Sequence, residues 1–321
     1  MFELTNKIQG RQNPMRVQRK IFFSVLLAIL LLNYEGLSTN LRQLNFTFYQ
    51  VSSRIFDLET RGEDTKDLSQ SLNDCEKLIQ SKKYSDAENS LKVLVKAVNE
   101  RYQKSYPQVY TYGDVVFEDI FVDISLGNKV GFIASPKAPG KYPGIIFLRG
   151  ASGSAINLKK ILSRYARKNF ICLAPEFNDN DFLKGVVDLN KWYEIFKSHA
   201  SIDSEHTGVV SYSRGGYFAY KMIEENKPLR AWVNFYGVVY PNMVNIEAIR
   251  RNPVPVLILH GQKDKICPVK WAANLENAYR MAGAPYQIKI FKEEGHGFNP
   301  EAMEEARAQM DNFIDEYLIK K

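Results

Sequence analysis

Gly208-Val209-Val210-Ser211-Tyr212-Ser213-Arg214-Gly215-Gly216 runs from a short apolar strand straight into a turn, and residues 216–225 continue with a helical pattern. Strand, sharp turn and helix in that order make a nucleophile elbow, which lifts one side chain above the end of a sheet. Position selects Ser213 for that role and not Ser211. The turn crowds strand against helix, so its flanks need small residues; Gly215 supplies one, and Ser211 stands where glycine is commoner.

Outward from the elbow the same alternation repeats. Apolar runs at 144–148, 170–174, 208–210, 231–235, 256–259 and 287–291 read as strands, and 156–166, 190–199, 216–225, 271–281 and 301–318 read as helices. Residues 115–124 and 129–133 read as an opening hairpin region. Short, nearly continuous apolar strands divided by helices indicate an α/β fold, a mainly parallel sheet covered on both faces. Such sheets collect their chemistry at the carboxyl ends of the strands. Residues 107–321 therefore form the expected catalytic domain.

Two further strand ends carry reactive residues. After 256–259 come His260-Gly261-Gln262-Lys263-Asp264, with Pro268 beyond; an acidic side chain in that loop can orient an imidazole and stabilise its charged form. After 287–291 come Glu293-Glu294-Gly295-His296-Gly297-Phe298. Of the four histidines, His199 and His206 precede the elbow and His260 belongs to the turn before Asp264, so only His296 follows the last strand. The order Ser, Asp, His, each at a strand end, makes Ser213, Asp264 and His296 the expected catalytic triad.

An acyl-transfer site also needs donors for an oxyanion. The Arg214 amide, just after the nucleophile, is one. The Ala151 amide, in the loop Arg149-Gly150-Ala151-Ser152-Gly153-Ser154, is the other by position. The Arg149 side chain is a candidate for binding an anionic substrate; salt bridges to acidic residues are the plainer role for Arg149 and Arg214. Cys75, Cys172 and Cys267 have no metal-site spacing, and three thiols cannot all pair within one chain. No metal and no organic cofactor are expected.

Residues 107–321 resemble the dienelactone hydrolase and prolyl-oligopeptidase-like branch of the α/β hydrolases. The resemblance lies in Tyr212-Ser213-Arg214-Gly215-Gly216, in His260-Gly261 leading to Asp264 and Pro268, and in Gly295-His296-Gly297-Phe298. Phe147-Leu148-Arg149-Gly150 is similar to relatives with Arg-Gly where others have His-Gly. The resemblance implies the α/β-hydrolase fold and a serine hydrolase. Its elbow carries Ser where dienelactone hydrolases proper carry Cys. The region before it does not resemble the β-propeller of true prolyl oligopeptidases.

That region is helical. Leu41, Leu44, Phe48, Val51, Ile55 and Leu58 recur in steps of three and four, as do Leu68, Leu72, Cys75 and Ile79, and Ala87, Leu91, Leu94 and Val98. Ser85 and Glu88 have capping-box spacing at the third stripe. Three such helices over 39–106 pack together, dock on the next domain, or bind a protein partner. Ahead of them, residues 1–20 hold Lys7, Arg11, Arg16, Arg19 and Lys20 against Glu3, and 21–32 (IFFSVLLAILLL) is an apolar run from Ile21 to Leu32. A basic flank before a short apolar run reads as a signal peptide or membrane anchor over 1–38, with small residues for cleavage after Ser38. The rest of the chain is then placed outside the cytoplasm, periplasmic or secreted, or anchored and facing away from it.

The formal net charge of +7 is concentrated in that leader, which leaves no basic face for nucleic acid. The expected activity is hydrolysis of carboxylic esters of modest size, or of acyl groups on a polymer, through an acyl-enzyme. A peptidase acting on short peptides and a partner-binding protein with a secondary hydrolase domain are the alternatives. The interval 236–252 is too short for a large lid, so an open site is expected.

Overall fold

The computed structural model describes residues 39–60, 63–105, 109–151 and 153–320. Residues 1–38, the expected signal peptide or membrane anchor with Ile21 to Leu32 and the cleavage position after Ser38, lie outside them. Among the described residues no helix is long and apolar enough to cross a membrane.

The chain divides into two compact units, one ending at Ser105 and the other beginning at Tyr106. The first is three helices, α1 (Thr39–Thr60), α2 (Lys66–Gln80) and α3 (Tyr84–Ser105). The apolar stripes meet inside it: Leu44, Val51, Ile55 and Leu58 of α1, Leu68 and Cys75 of α2, and Ala87, Leu91, Leu94 and Val98 of α3 are all buried. Polar ties finish the packing. Arg101 makes a two-pronged pair with Asp67 at 2.7 and 2.9 Å, and the Tyr102 hydroxyl donates to Asp57 at 2.6 Å. The capping expectation is corrected: α3 starts at Tyr84, with the Ala87 amide donating to the Lys83 carbonyl at 3.0 Å, so Ser85 stands within the first turn.

The second unit is built on one nine-stranded sheet in the order β1-β2-β3-β5-β4-β6-β7-β8-β9. The strands are β1 (Val109–Tyr112), β2 (Val115–Ile124), β3 (Gly127–Pro136), β4 (Tyr142–Leu148), β5 (Ile171–Ala174), β6 (Ile202–Tyr212), β7 (Ala231–Phe235), β8 (Val256–Gly261) and β9 (Tyr286–Phe291). β1, β2 and β3 run antiparallel to their neighbours, and β4 through β9 pair in parallel. β7 and β8 are buried at every residue, as strands covered on both sides must be. Helices α4 (Lys159–Ala166), α5 (Phe182–Lys197), α6 (Gly215–Glu224), α7 (Ile246–Arg251), α8 (Val269–Ala282) and α9 (Pro300–Ile314) connect them. Trp192 and Phe196 of α5, Phe218 of α6 and Tyr279 of α8 share one apolar core with Val209 and Ile258 of the sheet.

β5 lies on one side of β4 and β6 on the other, so the strand order reverses between β4 and β6. Open α/β sheets bind ligands at such a switch point, because the two connections leave in opposite directions and open a crevice at the carboxyl ends. The elbow ends β6 and the Arg149-Gly150-Ala151 loop ends β4, so both flank that crevice.

Two elements are longer than the sequence pattern indicates. β6 begins at Ile202 because Tyr142 and Ile202 pair across a register shift that admits the polar stretch Asp203–His206. α5 begins at Phe182, capped by the Asp181 carboxylate accepting from the Lys184 amide at 3.2 Å.

Candidate active site

Ser213 sits on a strained turn. Its φ is +50°, its amide donates to the Phe235 carbonyl at 3.0 Å, and its carbonyl accepts from the Gly216 and Val238 amides at 2.9 and 2.8 Å. A non-glycine residue in that region costs on the order of 1–3 kcal/mol, so the surroundings must hold it there. Gly215 lets the turn close: a Cβ at that position would lie 2.6 Å from the Leu148 carbonyl oxygen. Ser211 is fully buried, and its hydroxyl accepts from the Trp232 indole at 2.8 Å and meets Asn234 Oδ1 at 3.1 Å, a structural role.

Asp264 follows β8. Its Oδ1 accepts the Ile266 and Cys267 amides at 2.9 and 2.8 Å, which leaves Oδ2 aimed at His296 Nδ1, 2.9 Å away. Burial alone would raise this carboxyl, but the bonds from His296 and the two amides outweigh it and hold it below the usual carboxylate range. His296 Nε2 in turn lies 2.8 Å from Ser213 Oγ. The three expected side chains thus form one hydrogen-bonded chain, assembled from the ends of β6, β8 and β9.

The loop carrying His296 is seated on β8. A Cβ on Gly261 would come within 2.4 Å of the Gly295 carbonyl oxygen, so only glycine admits the contact. Glu294 accepts from the Asn299 amide at 2.8 Å and side chain at 2.6 Å, and its own carbonyl takes the Lys263 amide at 2.8 Å. The Tyr236 ring stands edge-on to the imidazole at 5.0 Å. The other histidines are occupied elsewhere: His199 with Glu118 at 2.9 Å, His206 with Asp203 at 2.7 Å, and His260 with the Cys267 carbonyl at 2.7 Å. Burial lowers the His260 imidazole from its ordinary value.

The Gly150 loop packs against the elbow, where a Cβ on Gly150 would be 3.2 Å from Ser213 Cβ. This puts Ala151 beside Ser213, while Arg214 immediately precedes α6, where the leading helix amides have no intrahelical partner. The Arg149 side chain lies in the interior and makes the salt bridges expected as its plainer role, which leaves its guanidinium turned away from solvent. It is 2% exposed and turned inward, bonded to Glu176 at 3.1 Å, Asp179 at 3.3 Å and the Phe177 carbonyl at 2.9 Å. Burial would lower the Arg149 guanidinium, and the charges of Asp179 and Glu176 reverse this and raise it. Glu176 also takes the Ala155 amide at 2.7 Å and the Ser154 hydroxyl, while Asp179 takes Arg214 Nη1 at 3.2 Å. Sequence reading missed Glu176, Asp179 and Glu294.

Cys267 is fully buried, and its amide donates to Asp264 Oδ1 of the triad at 2.8 Å. Burial first, and then the Asp264 charge, push the Cys267 thiol up to about 12. One donor atom each from Asp264, Cys267 and His296 lie within 4.8 Å of one another. Cavities of 680, 530 and 330 Å³ open elsewhere and are lined by other residues.

Comparison with known proteins agrees with this geometry. Residues 178–316 match the model of the dienelactone hydrolase family, a span that includes Ser213, Asp264 and His296. A carboxymethylenebutenolidase-like protein of Yersinia pestis is 26% identical over 208 residues, covering 54% of this chain and 76% of that one. A dienelactone hydrolase-like promiscuous phosphotriesterase from metagenomic libraries superposes with a TM-score of 0.57 at 16% identity, over 64% of this chain and 99% of its own. The acylaminoacyl peptidase of Pyrococcus horikoshii superposes with a TM-score of 0.53 at 16% identity, over 69% of this chain and 44% of its own. Residues 178–316 are thus similar to the dienelactone hydrolase family, and the solved structures share the α/β-hydrolase fold of this chain.

Proposed function

We propose that this protein is an exported serine hydrolase that cleaves carboxylic esters through an acyl-enzyme. The observation that carries the reading is the unbroken chain from Asp264 Oδ2 through both nitrogens of His296 to Ser213 Oγ, with contacts of 2.9 and 2.8 Å. With Nδ1 donating to Asp264, Nε2 is left to take the Ser213 proton as the oxygen attacks a carbonyl carbon. The ionised Asp264 holds that tautomer and steadies the imidazolium. The Arg214 and Ala151 amides receive the oxyanion, each donor contributing about 3–4 kcal/mol to the transition state. His296 then protonates the leaving alcohol. Water, deprotonated by the same nitrogen, releases the acid.

A fluorophosphonate probe tests the nucleophile. Wild type labels and Ser213→Ala does not; labelling that survives in Ser213→Ala removes Ser213 from the role. Panels of p-nitrophenyl esters and dipeptide amides test the substrate class, with esters turning over faster. Faster amide turnover would make the enzyme a peptidase. Export rests on the basic flank and apolar run ending at Leu32; fractionation of cells making the full chain should place the activity outside the cytoplasm.

A further inference from the structure

Cys267 is the nucleophilic side chain at the site that the proposed chemistry leaves unused. Its backbone has a task, since the amide donates to Asp264 Oδ1 at 2.8 Å and the carbonyl faces His260 Nε2 at 2.7 Å. Its sulfur has no such task, yet it lies within 4.8 Å of donor atoms of both Asp264 and His296. One sulfur, one imidazole nitrogen and one carboxylate oxygen are donor types that tetrahedral Zn²⁺ accepts, with water as the fourth ligand. Metal–ligand bonds of about 2.0–2.3 Å require donors separated by roughly 3.3–3.8 Å, so any pair near the 4.8 Å limit must draw closer. The loop that would move is built for it: His296 stands between Gly295 and Gly297, the latter at φ +85°, and the imidazole is partly exposed at 18%.

We propose that Asp264, Cys267 and His296 form an inhibitory site for a soft divalent cation, Zn²⁺ or Cd²⁺. The thiolate selects such ions over Mg²⁺ and Ca²⁺, which prefer all-oxygen sets. On binding, the Cys267 S–H bond breaks, its proton passes to water, and a metal–sulfur bond forms with no change of oxidation state. The ring nitrogen given to the metal is lost to the Asp264–His296–Ser213 chain. Loss of activity on binding rests on the catalytic reading above; binding itself does not.

The test is a Cd²⁺ titration of the full-length protein, reading the ultraviolet thiolate-to-cadmium charge-transfer band, with Cys267→Ser and Cys267→Ala as variants. Wild type should gain a band that saturates at one equivalent. Both variants should lose it, while Cys172→Ala keeps it. In parallel, Cd²⁺ or Zn²⁺ should block fluorophosphonate labelling and p-nitrophenyl ester turnover of wild type, reversibly with chelator. Each variant, measured against its own uninhibited rate, should need at least about tenfold more metal, as expected when a site loses a ligand. No band at millimolar Cd²⁺ in wild type, or equal sensitivity in the Cys267 variants, overturns the site. A Cys267-dependent band in a protein that hydrolyses no ester keeps the metal site and sinks the catalytic reading. Ester turnover with no metal sensitivity does the reverse.

Discussion

The loop after β4 and the loop after β9 both reach Ser213, and they are held by opposite means. The first is anchored by full charges in a dry interior: the Arg149 guanidinium and the Glu176 and Asp179 carboxylates are each at most 3% exposed. The second rides on two glycines, one carboxylate–amide clasp between Glu294 and Asn299, and an edge-on ring. Their proposed tasks differ in the same way. Oxyanion donors act by standing still, because dipoles that need not reorganise stabilise developing charge best. A general base must pass its proton from the nucleophile to a leaving group, so its imidazole needs some freedom. Both sides bury carboxylates, Asp264 and Glu294 beside the base and Glu176 and Asp179 on the donor side, but only the donor side pairs them with a buried guanidinium.

The comparison breaks most sharply at His296. His296→Ala should lower kcat on the order of 10⁶-fold while shifting urea unfolding by less than about 1 kcal/mol. Arg149→Met should invert that pattern. It leaves Glu176 and Asp179 as unpaired buried charges, and stability should fall by about 3–5 kcal/mol in the same urea measurement. A loss below about 1 kcal/mol would mean that the buried pairs do not anchor the loop.

Asp179 joins the two donor elements, because it binds Arg149 at 3.3 Å and Arg214 at 3.2 Å. Asp179→Asn should lower kcat roughly 10- to 100-fold with KM within about twofold, the size of a lost charged hydrogen bond felt in the transition state. Equal changes in both parameters would point to substrate binding instead. Glu294→Gln should cost about 1 kcal/mol of stability, since it weakens the Asn299 clasp but leaves the loop seated on Gly261.

The smallest effect concerns pH. His260 has a lowered imidazole in the folded protein because it is buried. Between that value and the unfolded one near 6.5, the unfolded chain binds a proton that the folded chain does not, so stability rises with pH through this window and is lost as pH falls through it. Asp264 is shifted down from about 3.8 and acts only in more acid solution, where its stabilising contribution disappears as pH falls through its folded value. Thermal unfolding from pH 7.5 to 5 should therefore show wild type losing more stability than His260→Asn.

Much of this architecture is legible in the sequence because its signals are local. Ser213, Asp264 and His296 each follow an apolar run with a glycine within three residues, and short-range pattern is enough to place them. The Arg149 network has no such signature. Glu176 and Asp179 lie in an aperiodic loop after β5, and only the pairing of β4 with β5 brings them under Arg149. The inward turn of that side chain is likewise invisible to position alone. α5 begins ahead of the stretch that pattern alone marks, and Gly185, a poor helix former, lies in that extension. In the fold, a Cβ at that position would lie 2.1 Å from the Asn178 carbonyl oxygen, so close packing requires the glycine.

β9 is the last strand of the sheet, paired on one side only and half-buried along most of its length. The proposed base hangs from that rim, whereas the nucleophile springs from a central strand. Partial opening that peels the rim away would strip the enzyme of its base while most of the core stays closed. Heat inactivation should therefore run ahead of global melting, and amide exchange at 286–291 should outpace that at 208–212.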